Sequence, residues 1–246
     1  NLPNEISTPT TLLEEYTAYT IETIVRSFPQ VGLYITPGES IDIEYTDTWI
    51  NEVIFPAIRR TGKIPPVFVR SWGFDLEHAR KIVNHYPKLY FERKFNVEMI
   101  ADTLSDPENR LWADLNGNFV LNIHMAANLE PMRWNPPSYI QKCMQNAHEN
   151  GANGLHLYPR KSWRWPFGSD SDTTQYQWIR DDLWFEMWGR YSWNPYYDEK
   201  EEPSYWEDRL SDKFGNKDAA KLFLSSFETG GDVLPALQRL FWLGND

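Results

Sequence analysis

Residues 30–40, QVGLYITPGES, decide the fold: a short apolar run of Val31, Leu33 and Ile35 stops at Pro37-Gly38 and presents a carboxylate, Glu39. A buried parallel strand that ends in a Gly/Pro turn with an acid at its tip is how α/β barrels display their chemistry. The rest of the chain repeats this arrangement.

Strands are expected at Val31–Ile35, Pro65–Ser71, Leu89–Phe95, Asn118–Ala126 and Gly154–Tyr158. Between them lie stretches with helical spacing. Residues 5–28 carry Leu12, Leu13, Tyr16, Tyr19, Ile24 and Phe28, with Ser7 and Thr8 as available caps and Pro9 suited to a first turn. Thr46–Arg60 reads as a helix kinked or ended near Pro56, Asp75 caps the next one, and Ser138–Asn150 runs up to a stop at Gly151. Residues 102–117 read as a connection with at most a short helix. Strands alternating with helices imply βα units and a parallel sheet with right-handed crossovers.

Beyond residue 170 the strand signal ends, and helices are expected over Thr173–Tyr191, Ser204–Phe214, Asp218–Phe227 and Asp232–Leu243. The expected organisation is therefore a barrel portion over 1–170 and a helical C-terminal region over 171–246. Five strands do not close a barrel of eight. The chain reads as the later strands of a (β/α)8 TIM-type α/β barrel, beginning just before its fourth strand, with an open five-stranded sheet as the alternative. On the first reading its partner is the missing N-terminal part of the same protein.

At 246 residues and 29.0 kDa the chain is long enough for a sizeable core. Its formal charge of -11 argues against nucleic acid or an anionic membrane as the main partner, because both select basic patches. No apolar run approaches a membrane span. Residues 1–11 lack the pattern of a signal peptide, which a processed chain would have lost, so a periplasmic or secreted location stays an expectation. The single cysteine, Cys143, reads as a small apolar residue in a helix. No cofactor is expected, and no metal-ligating spacing such as HExxH occurs.

Twelve tryptophans are unusual for a chain of this size; large flat side chains beyond what a core needs often line sugar sites, where indoles stack on C–H faces, while an aromatic-rich core is the alternative and must account for some of them. Strand ends deliver Glu39, then Arg70-Ser71-Trp72, then Glu92-Arg93-Lys94, then Glu130, and the loop after the fifth strand adds Arg160, Lys161, Trp163, Arg164 and Trp165. In a parallel sheet these ends share one face. Carboxylates gathered there have pKa values pushed apart, which yields an acid and a base for glycosidic cleavage. Glu39 is the candidate general acid or acid/base, Glu130 the nucleophile or base, and Glu92 an assisting base or pKa modulator.

Arg70, Arg160, Lys161 and Arg164 are candidates for a sugar carboxylate, Trp72, Trp134, Trp163 and Trp165 for stacking, and His124 for the pocket wall. Each has a structural competitor: a turn or capping acid for Glu39, an ion pair with Arg70, Arg93 or Lys94 for Glu92, a strand-end carboxylate for Glu130, cation–π packing for the arginines and interior hydrogen bonding for His124 and His156.

Trp188–Pro195, WGRYSWNP, resembles the GRLAWNP-type motif that follows the barrel in α-glucuronidases of glycoside hydrolase family 67, with Arg190-Tyr191-Ser192 in place of Arg-Leu-Ala. The resemblance implies a (β/α)8 hydrolase of polysaccharide or oligosaccharide, with a helical region after the barrel and a uronic-acid substrate. It aligns Glu39 with the acid and places Glu92 where the family has aspartate, so inversion and retention both stay open. Two other classes compete: a non-catalytic carbohydrate-binding barrel relative, and a metal-dependent sugar isomerase or lyase.

Overall fold

The computed structural model describes residues 8–38, 41–96, 102–123, 136–157, 177–231 and 233–241. Five strands, β1 (Leu33–Ile35), β2 (Val67–Arg70), β3 (Leu89–Lys94), β4 (Phe119–Ile123) and β5 (Gly154–Leu157), form one parallel sheet in sequence order, β1-β2-β3-β4-β5. Together with the intervening helices and the helical region that follows, this is the α/β architecture of part of a (β/α)8 barrel. Consecutive parallel neighbours need a crossover on each connection, which is why a helix separates each pair. The chain divides into two compact units, one formed by Asn1–Arg93 with Arg110–Val120 and the other by Lys94–Asn109 with Leu121–Asp246.

In the first unit, α1 (Thr11–Ser27) begins at Thr10 rather than at Ser7 or Thr8, because the Thr10 hydroxyl accepts the Leu13 N–H at 3.3 Å. Lys63 closes its other end, with Nζ donating to the carbonyls of Val25 at 2.7 Å and Phe28 at 3.0 Å. The expected Thr46–Arg60 helix is present, built in three parts: α2 (Ile43–Thr48), a π-helical turn (Trp49–Ile54) and α3 (Phe55–Arg59). Pro56 lies in the first turn of α3 and has no N–H to donate. A wider π turn just before it lets the helix continue where a strict α register would clash.

The sheet alternates. Val67, Val69, Leu89 and Phe91 are fully buried on one face, in register across β2 and β3. Tyr34, Phe68 and Tyr90 occupy the other face in one cross-strand row, with the Phe68 and Tyr90 rings stacked at 4.7 Å. Asparagines tie the strand starts, since Asn116 and Asn118 both donate from Nδ2 to the Leu89 carbonyl, at 3.0 and 3.1 Å. Tyr86 donates to the Pro65 carbonyl at 2.6 Å, and burial pushes its phenol up to about 12, so it stays a donor at neutral pH. Helix α4 (Leu76–Ile82) starts on the expected Asp75 cap, and α5 (Asn109–Ala113) is the short helix of the third connection.

In the second unit, α6 (Pro137–Glu149) precedes the Gly151 turn, whose φ of 85° only glycine adopts cheaply. Cys143 is buried on this helix, and burial raises its thiol well above the ordinary value, which makes it packing rather than a nucleophile. The tail consists of α7 (Gln177–Trp193), α8 (Glu202–Phe214), α9 (Lys217–Gly230) and α10 (Val233–Phe241), in the places expected for four helices. Helix α8 ends on Gly215 at φ 65°, a left-handed C-terminal stop.

Candidate active site

The strand ends of the first unit bring Arg70, Trp72 and Glu92 together. Arg70 and Glu92 are register partners, the last paired positions of β2 and β3. Glu92 is only 1% exposed, so its carboxylate is held by protein groups rather than by bulk water. One holder is Tyr34 on β1, whose hydroxyl donates to Glu92 Oε1 at 2.5 Å across 58 positions of sequence. Burial, the hydrogen bond to Glu92 and the carboxylate charge raise the Tyr34 phenol far above its ordinary range, against a smaller opposing pull from Arg70. The phenol therefore keeps its proton at any working pH and serves as a permanent donor. The Arg70 guanidinium in turn lies over the Trp72 indole, 5.4 Å from the ring centroid.

Two glycines set this geometry. Gly73 follows Trp72 with φ 62°, and a Cβ there would meet the Gly38 carbonyl oxygen at 2.4 Å. Gly38, at φ 98°, donates its N–H to the Trp72 carbonyl at 3.4 Å. The turns after β1 and β2 thus press backbone on backbone, which Gly73 permits by having no side chain, while Gly38 supplies the left-handed backbone on the other side. Glu39 follows directly in sequence but, with His124, Glu130, Trp134, Arg160, Lys161, Trp163, Arg164 and Trp165, lies outside the described residues.

Tyr34 is the member that sequence reading passes over. Its signal was the alternation itself: if Leu33 and Ile35 face the helices, Tyr34 must share a face with Glu92. In the second unit, Asn122 of β4 and His156 of β5 pair at 3.1 Å between Nδ2 and Nδ1, so His156 is a hydrogen-bonded strand residue. Asn109 donates to the Lys94 and Phe95 carbonyls at 3.2 and 2.8 Å and pins the end of β3.

The WGRYSWNP segment has a structural duty. Arg190 grips Glu202 with two bonds, Nε to Oε2 at 3.0 Å and Nη2 to Oε1 at 2.5 Å. Tyr191 donates to the same carboxylate at 2.6 Å and accepts the Trp206 indole N–H at 2.7 Å. The guanidinium is sandwiched between Tyr197 and Tyr205, with ring centroids 3.8 and 3.5 Å away. Burial works to raise the Glu202 pKa, but the Arg190 and Tyr191 bonds outweigh it and the carboxyl titrates below its ordinary value. This cluster locks α7 to the start of α8.

The described half of the candidate site is thus a buried carboxylate, a permanently protonated phenol and a cation over an indole, set at adjacent ends of parallel strands. No family model matches the chain, and no curated protein matches it. Among solved structures, it is similar to a GH138 enzyme targeting pectin rhamnogalacturonan II, with a TM-score of 0.87 and 30% sequence identity over 96% of this chain. The match spans 30% of that enzyme's length. The glycoside hydrolase fold expected from the strand ends is supported, while the neighbour is a GH138 enzyme and not a member of family 67.

Proposed function

We propose that these residues form part of a glycoside hydrolase that cleaves a pectic polysaccharide or oligosaccharide, with a uronic-acid unit in its substrate. The observation that supports it most is the likeness, over 96% of the chain, to a GH138 enzyme targeting pectin rhamnogalacturonan II. Independent support comes from the buried Glu92 held by Tyr34 beside Arg70, since a carboxylate, a cation and an indole at adjacent strand ends suit an acidic sugar.

On this reading Glu39 is the general acid or acid/base and Glu130 the nucleophile or base. Glu92, with Tyr34 behind it, assists as base or tunes its neighbours. Arg70, joined by Arg160, Lys161 and Arg164, takes the sugar carboxylate, and the tryptophans Trp72, Trp134, Trp163 and Trp165 stack on rings, with His124 at the wall. The reading includes a partner, namely the further strands that close an eight-stranded barrel around these five.

The test is hydrolysis of rhamnogalacturonan II fragments by the full-length protein and by its Glu39→Gln and Glu130→Gln variants. Loss of about three orders of magnitude in kcat in each variant, with the fold retained, is the expected outcome. Near wild-type turnover in both would sink the assignment. A structure with bound sugar fixes the stereochemistry, because carboxyl separations of roughly 5–5.5 Å give retention and roughly 6.5–9.5 Å inversion.

A further inference from the structure

The end of α7 and the turn after it carry a second, separate aromatic feature. A cavity of about 340 Å³ opens beside the start of β5, lined by His148, Asn153, Leu155, Trp193, Asn194 and Tyr196 among others. Trp193 is 88% exposed and Tyr196 54%, so neither ring is spent on the core.

The polar groups around them have capacity left. His148 shares a 3.0 Å hydrogen bond between Nδ1 and the Tyr196 hydroxyl, which leaves Nε2 uncommitted among the described residues. Asn194 accepts the Tyr196 N–H on Oδ1 at 3.0 Å and keeps its Nδ2 amide for another acceptor. The platform is also rigid, because Gln141 donates to the Pro195 and Tyr197 carbonyls at 3.1 and 2.8 Å and Gln145 to Pro195 at 3.1 Å. His148 and Tyr196 further meet edge to face at 5.5 Å.

We propose that this cavity is a non-catalytic saccharide-binding subsite, in which the Trp193 indole stacks on the C–H face of a pyranose ring while His148 Nε2 and Asn194 Nδ2 meet its hydroxyls. An exposed indole beside unspent donors, in a cavity of ligand size, is built for a flat ring with polar edges. The cavity adjoins Asn153 and Gly154, at the N-terminal end of β5, whereas parallel sheets carry catalysis at the opposite strand ends. It therefore holds polysaccharide without cutting it. The choice of a pectic chain as ligand rests on the glycosidase reading; the stacking geometry does not.

The experiment titrates the full-length protein with rhamnogalacturonan II by calorimetry, for wild type, Trp193→Ala and His148→Ala, alongside turnover of a short soluble fragment and thermal melting. The expected result is about tenfold weaker polysaccharide binding for Trp193→Ala and a smaller loss for His148→Ala, with fragment turnover and Tm unchanged. Wild-type affinity in Trp193→Ala overturns the proposal. So does a fall in Tm of the Trp193→Ala variant by several degrees, which would show that the indole packs against other polypeptide. If binding falls as expected while no protein form hydrolyses the fragment, the subsite stands and the glycosidase reading fails.

Discussion

Among the described residues, two tyrosine–glutamate–arginine groups teach opposite lessons. Tyr34, Glu92 and Arg70 come from three adjacent strands and meet where the strands end. Tyr191, Glu202 and Arg190 come from two successive helices, where the carboxylate is gripped bidentately by arginine and again by tyrosine, itself fixed by Trp206. The chemical parts are the same. The second group is assembled from residues within 12 positions of one another and locks a helix junction. The first draws on positions 58 apart and is aligned by a whole sheet, an arrangement that costs more chain entropy to build and that a purely structural ion pair does not need.

If that contrast is right, equivalent substitutions must separate chemistry from stability. The largest effect is expected for Glu92→Gln in the full-length protein, with kcat down about 10²–10⁴-fold and the melting temperature nearly unchanged. Hydrolysis of pectic fragments beside a thermal melt checks it, and an unfolded Glu92→Gln protein would put this group in the structural class. Glu202→Ala should do the reverse. It leaves the partly buried Arg190 between two tyrosines without its counter-charge, at a cost of about 2–4 kcal/mol by chemical denaturation, with kcat per folded molecule preserved.

Gly73→Ala sharpens the contrast from another side. Forcing a left-handed alanine costs about 1–2 kcal/mol, and its Cβ must also push the Gly38 carbonyl away, so activity should fall further than stability. Tyr34→Phe keeps the ring and removes only the donor to Glu92, for which about a tenfold loss in kcat is expected, less than for Glu92→Gln. A Tyr34→Phe enzyme with unaltered kinetics would reduce the phenol to packing.

The smallest effect is in pH. Glu202 titrates below its ordinary value when folded, so its contribution is complete above the pKa of the unfolded side chain and is lost as pH falls through the depressed folded value. The stability gap between wild type and Glu202→Gln should therefore be constant at neutral pH and shrink in acid, as urea titrations at several pH values would show.

The strands were legible because their apolar and aromatic runs are short, bounded by turn residues, and separated by helical spacing; β1 to β5 fall inside the segments read from Val31, Pro65, Leu89, Asn118 and Gly154. The Asp75 cap and the Gly151 stop were legible because single side chains decide them locally. The π turn before Pro56 was not, since a proline signals that a helix must adjust without saying how. Glu92 and Arg70 could be read as strand-end residues and alternation put Tyr34 on their face, yet its pairing with Glu92 required the order and register of three strands, which lie far apart in sequence. The Arg190 motif suggested family 67, whereas the solved structure the chain is similar to is a GH138 enzyme; the motif's bond to Glu202 was not legible, because Glu202 opens a helix that sequence reading begins two residues later.

The contact between Gly38 and Gly73 also bears on how such a protein can diversify. Because the turns after β1 and β2 meet through backbone, the second cannot take a side chain at Gly73 without displacing the carbonyl of Gly38 in the first. An engineer who wishes to exchange one of these loops for that of another barrel must transplant both, as a single interlocked cassette.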